Sequence, residues 1–112
     1  MIACDRGDVV LVGFVFSDES GRKVRPALVI TLSAYHRARR EVILAAITSN
    51  VRRRLVADHL LADWKAAGLL FPSLVTGIVR TVKQTMIERK LGSLTKADMH
   101  AVERELRRAL DL

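Results

Sequence analysis

Aromatic residues are scarce in this chain: three Phe, one Trp and one Tyr among 112 residues. Any core must therefore be built on Leu, Val, Ala and Ile. Cys4 is the only cysteine, which excludes an intrachain disulfide and makes a reducing compartment the default. No histidine or cation stands directly beside it to mark the thiol as a nucleophile, so it reads as a small packed residue. No apolar run approaches the ~20 residues that span a bilayer, so no membrane association is expected. The opening "MIACDRGD" lacks a long apolar stretch behind a basic start, so no signal peptide is expected and the cytoplasm is the predicted location. His36, His59 and His100 fall one per element with no i,i+4 pair and no CxxC, so no metal centre is expected. Of these, His36 and His100 read as exposed. Neither a G-x-S-x-G elbow nor a phosphate-cradling G-x-x-x-x-G-K-[ST] loop is present.

What remains is apolar and cationic. Half the residues are hydrophobic, enough for a core, and the length suits one domain over residues 1–112. The formal net charge of +7 favours a polyanion or an acidic protein as partner. "GDVVLVGFVF" (7–16) and "PALVIT" (26–31) read as strands around a polar turn, "SDESGRK", in which Gly21 is free to take positive φ. Pro26 belongs at the start or edge of its strand, since it has no N–H for a central ladder, and it holds Arg25 extended.

A polar connection with a helical turn covers 32–40, and "EVILAAITSN" (41–50) is a third, central strand. A basic loop and a short strand follow in 51–61, then one helical turn ended by Gly68, and two short strands in "SLVTGIVRTV" and "QTMIER". "LTKADMHAVERELRRALDL" closes the chain as an amphipathic helix. Thr95 and Asp98 form its capping box, Met99, Val102, Leu106, Ala109 and Leu110 its apolar face, and Glu103–Arg107 an i,i+4 pair. Five or six short strands and a terminal helix predict a mainly β protein with α, a small SH3-like barrel.

Two features suit chemistry. Arg25 precedes the second strand, and the third strand ends in Thr48, Ser49 and Asn50. If those strands are neighbours, a guanidinium and hydroxyls meet at the barrel rim, which is a sound phosphate site. Each residue also has a plainer reading. Arg25 could be a strand-flanking charge, and Thr48 and Ser49 could bond only to nearby backbone. Arg37/Arg39/Arg40 and Arg52/Arg53/Arg54 could be solvated clusters or line a shared groove. The lack of interleaved aromatics speaks against a base-stacking sheet.

"GDVVLVGFVFSDESGRKVRPALVIT" followed by "VILAAITSN" resembles, in order and spacing, the MazF/PemK toxins of bacterial toxin–antitoxin pairs, in their PemK-like branch. "ADWKAAGLLFPSLV" and "IERKLGSLTKADM" resemble the later part of the same family, so the likeness covers nearly the whole chain. The resemblance implies an SH3-like small β-barrel of the MazF/PemK/CcdB type with a C-terminal helix, forming a homodimer. It implies an endoribonuclease that cuts single-stranded RNA, as mRNA, at short sequences without metal or other cofactor. The family's catalytic arginine falls on Arg25 and its threonine on Thr48, with Ser49 beside it. By similarity, the RNA 2′-hydroxyl attacks the adjacent phosphorus and leaves a 2′,3′-cyclic phosphate and a 5′-hydroxyl. Ser17, Asp18 and Lys23 of the first hairpin, with Arg52, Arg53 and Arg54, are the implied RNA contacts. A cognate antitoxin would compete for the same groove.

One departure is visible: the Glu-Gln pair of many members is missing from the loop "FSDESGRKVRP", and no general base is assigned. The alternatives are a non-catalytic module on the toxin fold, either an inactive relative or a gyrase-type protein-targeting inhibitor, and a basic nucleic-acid binder without chemistry. Retention of both Arg25 and Thr48 favours the enzyme.

Overall fold

The computed structural model of the chain describes residues 3–15 and 22–112. Its first strand, β1 (Asp8–Val15), shows why the opening apolar run does not alternate: Val9, Val10 and Val12 are all fully buried. The strand is covered on both faces, and a near-continuous apolar sequence is what such a strand needs. β2 (Arg22–Val29) and β3 (Glu41–Thr48) have the same character around Leu28, Val29, Val42 and Ala45.

The remaining elements are α1 (Ser33–Arg39), β4 (His59–Leu60), β5 (Leu74–Lys83), β6 (Ile87–Ser93) and α2 (Lys96–Leu110), with a 3-10 turn at Gln84–Met86. All strand pairs are antiparallel, in the order β4-β5-β3-β2-β1-β6. This is the expected mainly β fold with a C-terminal helix. One face of the curved sheet packs Val10, Val12, Val29, Leu44 and Ile87 around Cys4; the other packs Val9, Leu28, Ile47 and Val75 against Val102 of α2.

The two end strands are joined by packing rather than by a ladder. The turns after β4 press their backbone onto β6, and two glycines permit it. Gly68 has φ +76°, and a Cβ there would fall on the Leu91 carbonyl. At Gly92 a Cβ would stand 2.7 Å from the Ala66 carbonyl oxygen. Only glycine fits either approach.

Several expectations need correction. β2 begins at Arg22, so Pro26 lies inside the strand, opposite Leu11. It is tolerated because β3 pairs with β2 only over Ala27–Val29, leaving position 26 with one ladder neighbour. β6 starts at Ile87 rather than at residue 84, because Gln84 is buried in the preceding turn, its N–H bonded to the Arg40 carbonyl. Residues 64–68 form the expected single turn, ended by Gly68 at positive φ, with bends on either side. Glu103 pairs with Arg6 at 3.2 Å instead of with Arg107. In α2, Val102 is buried and Leu106 packs against the same cluster while Leu110 is 59% exposed, so the apolar face engages as far as Leu106 and not in the last turn.

His36 is buried, not exposed. Its Nδ1 lies 3.2 Å from the Cys4 carbonyl, which can only accept, so Nδ1 carries the proton. Nε2 then accepts from the Thr31 hydroxyl at 2.6 Å. The ring ties α1 to the N-terminal segment. Cys4 is the packed residue expected: burial, then the Asp8 and Asp5 carboxylates, push its thiol above the ordinary range. No described helix is long and apolar enough to cross a membrane.

Candidate active site

β2 and β3 pair through Ala27↔Ala46, Leu28↔Ala45 and Val29↔Leu44, and the ladder then stops. Continued for two residues, the same register would set Arg25 opposite Thr48. Beyond Ala27, β2 is paired only with β1, while Ile47 and Thr48 are paired only with β5. The strands part at this point, and a cleft of about 560 Å³ opens between them. Arg25, Thr48 and Ser49 all line it. The juxtaposition expected from sequence is therefore present in the geometry.

The local chemistry is specific. Thr48 Oγ1 accepts from the Asn50 N–H at 3.1 Å, and Asn50 Oδ1 accepts from the Arg52 N–H at 3.4 Å. These side-chain turns fix the strand end, the plainer role considered for Thr48. They use the oxygen as acceptor and leave the hydroxyl hydrogen free to donate. Arg25 is exposed, and its one described bond is from Nη1 to the Val24 carbonyl at 3.3 Å.

The cleft floor is apolar, with Leu11, Pro26, Ile47 and Leu91; its far rim carries Leu70 and Phe71, 83% and 63% exposed. Composition did not reveal that one of the five aromatics stands at this rim. Nor did it reveal Arg89 of β6, which also lines the cleft. Two guanidiniums and no carboxylate line the cleft among the described residues, so its field is positive.

The other candidates are dispersed. Lys23 is exposed on β2, opposite Phe14 of β1. Arg52, Arg53 and Arg54 are exposed after β3 but do not line the cleft. Ser17 and Asp18 lie outside the described residues.

A supporting site was also missed. Asp98 is 1% exposed, and the capping box forms only by half: Thr95 Oγ1 accepts from the Asp98 N–H at 3.2 Å. The Asp98 carboxylate reaches away from its helix instead. It accepts from the Ala62 N–H at 2.9 Å, the Asp63 N–H at 3.0 Å and His59 Nε2 at 2.9 Å. Burial opposes the charge, but the Ala62 N–H, His59 and the Asp63 N–H outweigh it and hold the carboxyl below its usual value. This contact anchors α2 to the turns that end at the cleft residues Gly68–Phe71.

A curved antiparallel sheet with a terminal helix and a cationic cleft at its rim defines a small barrel suited to an anionic ligand. Residues 5–110 match the PemK-like, MazF-like toxins of type II toxin–antitoxin systems, and the chain belongs to that family. It is 36% identical over 93 residues to endoribonuclease MazF6 of Mycobacterium tuberculosis, covering 80% of this chain and 81% of that one. Endoribonuclease MazF2 of Mycobacterium bovis matches to the same extent. Among solved structures, MazE-MazF (Form-II) from Deinococcus radiodurans superposes with TM-score 0.83 at 18% identity, over 100% and 99% of the two chains. Mycobacterium tuberculosis toxin MazF-mt6 gives 0.72 at 24% identity, over 92% and 97%. The two structural likenesses establish the fold.

Proposed function

We propose that residues 1–112 act as one endoribonuclease toxin domain that cleaves single-stranded RNA without metal and is neutralised by a cognate antitoxin. The observation that carries this reading is that Arg25 and Thr48, from two strands, face one cleft. The endoribonuclease names of the curated relatives support the reaction class, and a neighbour solved with its cognate antitoxin supports the partner.

The mechanism follows from the groups available. The RNA 2′-hydroxyl attacks the adjacent phosphorus, the P–O5′ bond breaks, and a 2′,3′-cyclic phosphate and a 5′-hydroxyl result. Negative charge grows on the non-bridging oxygens. Arg25 offers two parallel N–H donors to them. A guanidinium is a poor base, so its role is electrostatic. Thr48 donates to a phosphate oxygen or to the leaving 5′-oxygen, and Ser49 supplies a second hydroxyl.

Purified protein should therefore cut long single-stranded RNA in EDTA, giving fragments with free 5′-hydroxyls. The same sequence as DNA, lacking the attacking hydroxyl, should stay intact, and saturating antitoxin should suppress cleavage. Cleavage of DNA at a comparable rate, or 5′-phosphate ends, would refute the mechanism. Uncut RNA under every condition would favour the non-catalytic toxin-fold module.

A further inference from the structure

Arg89 is placed by an irregularity in β6. Ile87 pairs with Val12, and both pack in the core cluster around Cys4. In a regular strand, Arg89 would point to the same face as Ile87. The ladder instead shifts between Leu11 and Val12, so that Leu11 pairs with Arg89. One extra residue on β6 reverses the alternation, as a bulge does when it re-aims a side chain. Arg89 thereby joins Leu11 on the cleft lining.

The same row continues across the sheet, because Leu11 is also paired with Pro26, the neighbour of Arg25. Two interstrand steps separate the Pro26 and Arg89 backbones, roughly 10 Å in all. The Arg89 side chain is exposed, and its guanidinium makes no ion pair or hydrogen bond among the described residues. Its charge faces a cleft already cationic from Arg25.

We propose that Arg89 binds an RNA phosphate flanking the scissile one and so positions the strand across the cleft. This rests on the ribonuclease reading above. Arg25 and Thr48 bind where the bond breaks, on the β2–β3 side. Arg89 grips the backbone on the β6 side, and the apolar floor of Leu11 and Leu91 separates the two anchors. Its contribution is therefore to binding, equal in the ground and transition states, and not to the chemical step.

The test is Arg89→Ala, read in two assays beside Arg89→Lys. Steady-state cleavage of a single-stranded RNA should show KM raised about ten-fold, the scale of one charge-assisted hydrogen bond, with kcat unchanged. Binding of single-stranded DNA of the same sequence, which keeps the phosphates and lacks the attacking hydroxyl, should weaken to a similar degree. The log–log dependence of that affinity on salt should become shallower by about 0.7. Arg89→Lys should keep most of the salt slope.

A variant with parental affinity and slope would overturn the proposal. So would a fall in kcat at unchanged KM, which would put Arg89 on the scissile phosphate. If the parent protein cleaves no RNA, the ribonuclease reading fails by itself, and the DNA arm still decides whether Arg89 holds a phosphate.

Discussion

Arg25→Ala should slow RNA cleavage by about 100- to 1000-fold at saturating substrate, the scale of losing one preorganised donor to a developing oxyanion. The fold should be unaffected, because the Arg25 side chain is exposed and, among the described residues, its guanidinium bonds only to the neighbouring Val24 carbonyl. Thermal unfolding within about 0.5 kcal/mol of the parent would show this, as for other surface substitutions. Arg25→Lys should recover only part of the rate, since an ammonium keeps the charge but not the planar fork that binds two oxygens. Single-turnover cleavage with trapped fragments gives the number. A rate for Arg25→Ala equal to the parent's would remove Arg25 from the chemistry.

The second large effect concerns stability. Asp98→Ala removes a buried carboxylate that three donors share: two backbone N–H groups and His59. Those donors lose their partner, at a cost on the order of 3 kcal/mol, measurable by urea unfolding. The pH dependence has a definite sign. The folded carboxyl titrates below its unfolded value, so the unfolded chain binds the proton first on acidification. The stabilisation is complete above the unfolded value, about pH 4, and is lost as pH falls through the folded one. Asp98→Asn should lack this component, so its deficit against the parent should narrow below about pH 4. A deficit independent of pH would mean that the carboxylate's charge is not what holds the turns.

The same two regions show what the sequence made legible. Strand-forming runs, the terminal helix and the Arg25–Thr48 pair could be read because each rests on local pattern: β-branched runs, helical spacing, a residue at a strand end. The family resemblance then tied the two ends into one site. Arg89 could not be read that way, because a bulge inverted its face and alternation would have turned it toward the core. His36 was read as exposed, and Asp98 only as a capping-box residue, for a related reason. Polar residues are usually exposed, and only the three-dimensional fold brings the Cys4 carbonyl, the Thr31 hydroxyl and the Ala62 and Asp63 N–H groups to satisfy them. Closeness in sequence to Thr48 did not put the Arg52–Arg54 cluster in the cleft lining.

Whether one phosphate truly engages the arginine of β2 and the threonine of β3 is answered by a double-mutant cycle in single-turnover cleavage: Arg25→Ala, Thr48→Val and both together. Groups acting as a unit on one transition state are strongly non-additive. The double variant should be scarcely slower than Arg25→Ala alone. Losses that multiply in full would mean that the two side chains act independently, and a shared phosphate would be contradicted.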